Sequence, residues 1–294
     1  LSRSLPINRP VSPRLLFVLA GTAVAAVLAA FGPPVALAAF PGANGDLAFP
    51  AGLGSVRDQS PVDLFSLSAK GATRRLAGGA GYQGAPAWSA DGRRLAYATD
   101  GALVVVTGGH VQRLALGRPA GEPAWAPDGA RLAFTSAGDV FTVRADGRAA
   151  RRVTSGGGSA APAWSPSGAQ LAFITGGELL VARPDGTTVA GLAAGALSAD
   201  WAPDGARLVV SRRATAGDQR AELWIVGADG AVRQLTGGHD DLAARWSPDG
   251  RQVAFVRGGD VWTVPAAGGT ARRVTSAGDI GAALAWQPVA RHRR

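Results

Sequence analysis

The chain has 294 residues, 47% of them hydrophobic, with 42 glycines, 19 prolines, no cysteine and no methionine. The lack of cysteine excludes disulfides, thiolate metal sites and a cysteine nucleophile. The net charge of +9 belongs largely to the ends, where Arg3, Arg9 and Arg14 stand at one and Arg291, Arg293 and Arg294 at the other; without these six the body carries about +3, too weak a field for a nucleic-acid binder.

Residues 1–39 read as a secretory signal peptide. Three arginines precede an uncharged stretch from Leu15 to Gly32, apolar except for Thr22, and Ala36-Leu37-Ala38 then offers small residues for cleavage. The alternative is an uncleaved membrane anchor, since such a stretch is just long enough to cross a bilayer. No Arg-Arg pair precedes the apolar stretch, so export by the Sec route is expected, to the periplasm, the cell envelope or the medium.

From Phe40 onward the chain repeats itself. The copies run PAWSADGRRLAYAT from Pro86, PAWAPDGARLAFTS from Pro123, PAWSPSGAQLAFIT from Pro162, ADWAPDGARLVVSR from Ala199 and ARWSPDGRQVAFVR from Ala244, with a half copy LAWQPVA from Leu284. Their tryptophans, Trp88, Trp125, Trp164, Trp201, Trp246 and Trp286, are spaced 37, 39, 37, 45 and 40 residues apart. A self-similar period of ~40 residues made of short strands marks a β-propeller.

One copy shows the unit. Glu122 to Trp125 is a short inner strand, and Ala126-Pro127-Asp128-Gly129 has turn chemistry. Arg131 to Thr135 is an alternating strand, Asp139 to Val143 a third, Ala145-Asp146-Gly147 a second turn and Arg151 to Thr154 a fourth strand. We label the four A to D from the axis outward. The N-terminal end is offset, because Phe40 to Phe49 matches the segment from Trp88 to Tyr97 and so begins at strand B. Strand C follows at Val62 to Leu67 and D at Thr73 to Leu76. The missing strand A is supplied by Ala283 to Gln287. The expectation is an all-β protein: a six-bladed propeller over residues 40–288, four antiparallel strands per blade, closed by one C-terminal inner strand against three N-terminal ones. Residues 289–294 form a basic tail.

The six repeated tryptophans are expected to fill the wedges between blades. The D-strand arginines (Arg74, Arg75, Arg113, Arg151, Arg152, Arg233, Arg272 and Arg273) are expected to keep other chains from adding strands at the rim. Asp91, Asp128, Asp204 and Asp249 recur around the ring as turn caps, with Ser167 in the place of a fifth.

The W-S-P-D-G motif followed by a strand ending in A-F resembles the repeat of the TolB-type, or WD40-like, propellers over about residues 40 to 290. The resemblance implies a propeller fold. TolB carries a separate α/β domain before its propeller. Here a propeller alone is expected, and TolB's role as periplasmic partner of an outer-membrane complex is not carried over. The repeat also resembles the gating propellers of prolyl-oligopeptidase-type hydrolases, but no G-x-S-x-G elbow is present.

Chemistry is sought where the D–A and B–C connections meet, at one mouth of the channel. Of the strand-A positions lining it, only Glu122, Asp200 and Arg245 are charged, too few for a metal site built of convergent carboxylates. Asp200 and Arg245 are expected to form an ion pair between adjacent blades. His239-Asp240-Asp241 is the densest polar cluster, on the connection leading to Trp246. Two longer B–C connections carry Arg57, Asp58 and Gln59, and Arg213, Asp218 and Arg220. Together with Glu122 these residues are the candidate binding face. The resulting expectation is an exported, non-catalytic, monomeric propeller that binds a protein or peptide and needs no cofactor or metal. The alternatives are a hydrolase or lyase using His239, Asp241 and Glu122, and a glycan binder with Tyr82 as its exposed aromatic.

Overall fold

A computed structural model describes residues 42–52, 62–79, 81–214, 218–227 and 231–289. The expected signal segment, Arg57, Asp58, Gln59 and residues 290–294 lie outside the described residues. Among the described residues all 24 elements are strands, arranged as six four-stranded antiparallel sheets. The protein is a six-bladed β-propeller.

Each sheet follows the A–B–C–D order expected from the repeat. In the Trp125 blade the strands are Gly121–Trp125, Arg131–Ser136, Asp139–Arg144 and Arg151–Arg152. The blade that closes the ring joins Ala285–Val289 to Ala43–Gly52, Val62–Leu67 and Thr73–Ala77. Leu47 pairs with Trp286 and Ala48 with Ala285, and the pairing resumes past a bulge at Asn44 with Pro288 and Ala43 with Val289. The closing strand therefore lies two residues further along than Ala283 to Gln287, because Ala283 bonds back to the Gly281 carbonyl instead of entering the ladder.

B strands are buried on both faces, unlike a strand with one wet side: Leu132, Ala133 and Phe134 are consecutive and all fully buried. The reason is that each core sits between two blades. One cluster joins Ala96, Leu103 and Val105 of the Trp88 blade to Trp125, Leu132 and Phe134 of the next, and the same arrangement recurs around the ring. Trp125, Trp164, Trp201 and Trp246 are only 2–4% exposed, whereas Trp88 and Trp286, on either side of the closure, are half-buried.

The Asp-Gly turns act as caps. Asp128 Oδ1 accepts the N–H of Ala130 at 2.8 Å and Asp204 Oδ1 that of Ala206 at 2.9 Å, with Asp91 and Asp249 bonded alike and Ser167 Oγ substituting at 3.3 Å. Gly129, at φ 64°, takes the left-handed conformation the turn requires.

The D-strand arginines do more than blunt an edge. Arg75, Arg152 and Arg273 reach the carboxylates of Asp63, Asp139 and Asp260, buried near the start of strand C. In two blades a threonine and a glycine complete the clamp: Thr154 Oγ1 and Gly157 N–H on Asp139, Thr275 Oγ1 and Gly278 N–H on Asp260. In the Trp201 blade Glu222 takes the aspartate's place and Gln234 that of the arginine. The clamp ties the outermost strand to the blade.

Candidate functional site

The antiparallel meander divides the connections between two ends of the ring. A–B and C–D turns share one end, and B–C and D–A connections the other. At the turn end the aspartates are spent on their own backbone, Asp146 and Asp185 included. At the other end the connections differ from blade to blade, and here the sequence-predicted residues separate into two groups.

One group is structural. Asp241 is fully buried, and its two carboxylate oxygens accept Arg257 Nε at 2.6 Å and Nη2 at 2.9 Å. The Arg257 guanidinium in turn lies 4.9 Å from the Trp262 ring centre and 5.1 Å from that of Phe255. Asp241 is thereby withdrawn from the candidate binding face: it opens the strand Asp241–Trp246, and its carboxylate is held by Arg257 on the paired strand of the same blade. Asp240 Oδ1 caps the N–H of Ala221, the first residue of the neighbouring C strand. Glu122 Oε2 accepts the N–H of Ala161 on the adjacent blade at 2.9 Å. No hydrogen bond or ion pair among the described contacts joins His239, Asp241 and Glu122.

The other group remains outward. His239, Arg213 and Arg220 are exposed, with Asp218 half-buried beside them. Arg220 Nη1 bonds the Gly238 carbonyl, linking the long B–C connection to the D–A connection that carries His239. Asp218, Arg220 and Glu222 line a depression there with Ala214, Gln219 and Gly238. Tyr82 is 52% exposed on the same end, its backbone N–H held by Asp100 Oδ1. Burial, helped by the negative charge of Glu122, pushes the Tyr82 hydroxyl above its ordinary pKa.

One feature of this end was not readable from the repeat. Ala85, Glu122, Ala161 and Ala243 adopt left-handed φ of 46° to 54°. All four sit in the same place, a β-bulge in strand A next to the channel. Three precede proline, so neither residue type nor neighbour favours the conformation; the bulge imposes it.

The axial channel holds a partly open cavity of about 100 Å³, whose lining includes the six repeated tryptophans and the residues just before them. Those residues, Ala87, Ala124, Ala163, Asp200, Arg245 and Ala285, place a single acid and a single base on the lining. The expected ion pair between the two is not formed. Asp200 Oδ2 instead accepts the N–H of Trp246 across the blade boundary at 2.9 Å, and Arg245 Nη1 bonds the Ala244 carbonyl. Burial pushes the Asp200 carboxyl above the usual range, against the opposing pull of Arg245 and of the Trp246 and Trp201 N–H groups. No group of three or more metal-ligating side chains occurs among the described residues.

Comparisons with known proteins agree with this architecture. The family model for the N-terminal region of dipeptidyl peptidase IV matches residues 202–287. No curated protein matches the sequence. Among solved structures, TolB from Acinetobacter baumannii is similar with a TM-score of 0.70 and 18% identity, over 83% of this chain and 67% of that one. A TolB-type protein from Agrobacterium tumefaciens gives 0.65 and 19% over 84% and 100% of the two chains. A chain of a nidogen/laminin complex gives 0.65 and 12% over 83% and 98%. At such identities the likeness is one of fold, and the fold is the TolB-like six-bladed propeller inferred from the repeat.

Proposed function

We propose that this chain is an exported, non-catalytic propeller that binds a protein or peptide through the end bearing Tyr82, Arg213, Arg220 and His239. The observation that carries this reading is the contrast between the two ends. At the turn end the recurring aspartates are consumed by backbone hydrogen bonds. At the other end, among the described residues, exposed side chains of both signs are not repeated from blade to blade, and the connections that carry them vary in length. A rigid scaffold with variable connections at one end is the usual way to build a recognition surface. One chain of similar fold comes from a nidogen/laminin complex, which fits the same use. Mixed charge favours a salt-sensitive protein contact over a polyanion site. The test is capture from a cell-envelope fraction by the triple variant Arg213→Ala, Arg220→Ala, His239→Ala. It is expected to lose partners that the parent and Asp146→Ala retain. Equal capture by the triple variant, with loss in Asp146→Ala, sinks the assignment of the face.

A second reading rests on the match to the dipeptidyl peptidase IV N-terminal region: a propeller working with hydrolytic chemistry at the channel mouth. It requires turnover of peptide substrates by the purified chain that disappears in His239→Ala.

A further inference from the structure

The channel lining has four alanines and two opposite charges on adjacent blades, with the tryptophans completing the wall. The two charges are close but not joined. Asp200 reaches across the blade boundary to the Trp246 N–H, next in the chain to Arg245, yet no Asp200–Arg245 contact within 4.0 Å is formed. Arg245 makes one hydrogen bond, from Nη1 to its neighbour's carbonyl, which leaves Nε and Nη2 without a described partner. Both residues line the cavity.

We propose that the axial cavity binds a small zwitterion, such as an unprotected short α-amino acid, with its carboxylate on Arg245 and its ammonium on Asp200. Two features of the cavity select this chemistry. A guanidinium fork recognises a carboxylate through two parallel hydrogen bonds. Charge balance supplies the second. Between two opposite charges this close, a lone anion or lone cation leaves one protein charge opposed by a like charge, whereas a zwitterion satisfies both. The elevated Asp200 carboxyl pKa agrees with a group that lacks a cation in direct contact. Size agrees as well: about 100 Å³ holds several waters, room enough for a small amino acid. This site is independent of the proposed protein-binding face, which uses none of these residues.

The experiment is a titration of the full chain with L-alanine, acetate and methylamine at constant ionic strength, read by intrinsic tryptophan fluorescence, since six indoles line the site. A saturable change with alanine is expected, at least ten-fold weaker with acetate or methylamine. Arg245→Gln and Asp200→Asn are each expected to weaken alanine binding by ten-fold or more. Ala163→Leu leaves both charged groups in place and fills the channel; it is expected to abolish the response with the melting curve still cooperative. No saturable change with alanine, acetate binding as tightly as alanine, or an undiminished response in Ala163→Leu overturns the proposal.

Discussion

The guanidinium of Arg94 lies 4.4 Å from the centre of the Trp125 ring, and the two residues belong to different blades. Arg94 begins strand B of one repeat and Trp125 ends strand A of the next. The same relation places Arg131 over Trp164 and Arg207 over Trp246, each at 4.9 Å. One motif, a tryptophan followed six residues later by arginine, thus links each of these blades to its successor. Gln170 and Gln252 hold the arginine's place before Trp201 and Trp286, and Asp46 holds it before Trp88.

The energetic consequence separates ring from cation. Trp125→Ala is expected to cost roughly 3–5 kcal/mol, as for other large buried aromatics. Arg94→Gln, the natural occupant elsewhere in this ring, is expected to cost about 1 kcal/mol, a fall in melting temperature of roughly 2–4 °C for a domain of this size. Thermal melts of the two variants check both values. An Arg94→Gln protein as unstable as Trp125→Ala contradicts this division.

Ring closure rests on the pairing of Leu47 with Trp286 and Ala48 with Ala285. Removing residues 285–294 takes away the inner strand of the closing blade and the Trp286 ring that packs beside Phe49 and Leu284. It also opens an edge at Ala43–Gly52. The truncated chain is expected to lose its single cooperative transition and to associate at micromolar concentration. Calorimetry and light scattering test this; a monomer with an unchanged transition refutes the closure argument.

The ring was legible because its information is periodic. Tryptophan spacing gave the number of blades, and the offset at Phe40 gave the closure. Both depend on local chemistry, turn residues and alternation, that each copy states again. The candidate face was legible only as a location. Nothing in His239-Asp240-Asp241 separates an outward side chain from inward ones. The separation depends on Arg257, sixteen residues beyond Asp241, which meets it only after strands A and B have paired. The left-handed alanines were hidden for a related reason, since the bulge that imposes them is a property of the paired strands and alanine before proline signals the opposite conformation. Asp200 and Arg245 read as an ion pair by adjacency, but backbone N–H groups compete for the carboxylate, and in sequence they are invisible.

The clamped and the axial carboxylates are expected to respond to pH in opposite senses. Burial works to raise Asp139 and Asp260, but glycine N–H groups, Arg152 or Arg273, and threonine hydroxyls outweigh it and hold both below the ordinary carboxylate range. Their ionised forms stabilise the fold above the unfolded-state value of about 4, and that stability is lost as pH falls through the lower folded value. Asp139→Asn is therefore expected to melt well below the parent at pH 7 and to approach it under acid conditions. Asp200 is raised by burial, so its ionised form opposes folding above pH 4. Asp200→Asn is expected to gain on the parent as pH rises from 4 to 8. Parallel melting-temperature curves for the two variants across that range rule out this assignment.

Asp241 and His239, two positions apart, are expected to behave as different kinds of residue. The Asp241 carboxylate is fully buried and held at two points by Arg257. Asp241→Ala leaves that guanidinium largely buried without its anion, and breaking such a pair from one side costs about 3–5 kcal/mol. Replacing both partners, Asp241→Leu with Arg257→Met, removes the stranded charge. The methionine also keeps an adaptable side chain against Phe255 and Trp262. The double variant is accordingly expected to recover most of the loss, because two desolvated charges are exchanged for apolar contact. His239→Ala, at an exposed position, is expected to change stability by less than about 0.5 kcal/mol. Denaturant melts of the four proteins decide the matter. If Asp241→Ala is as stable as His239→Ala, the pair is not the interior anchor described, and Asp241 returns to the list of residues available to a partner.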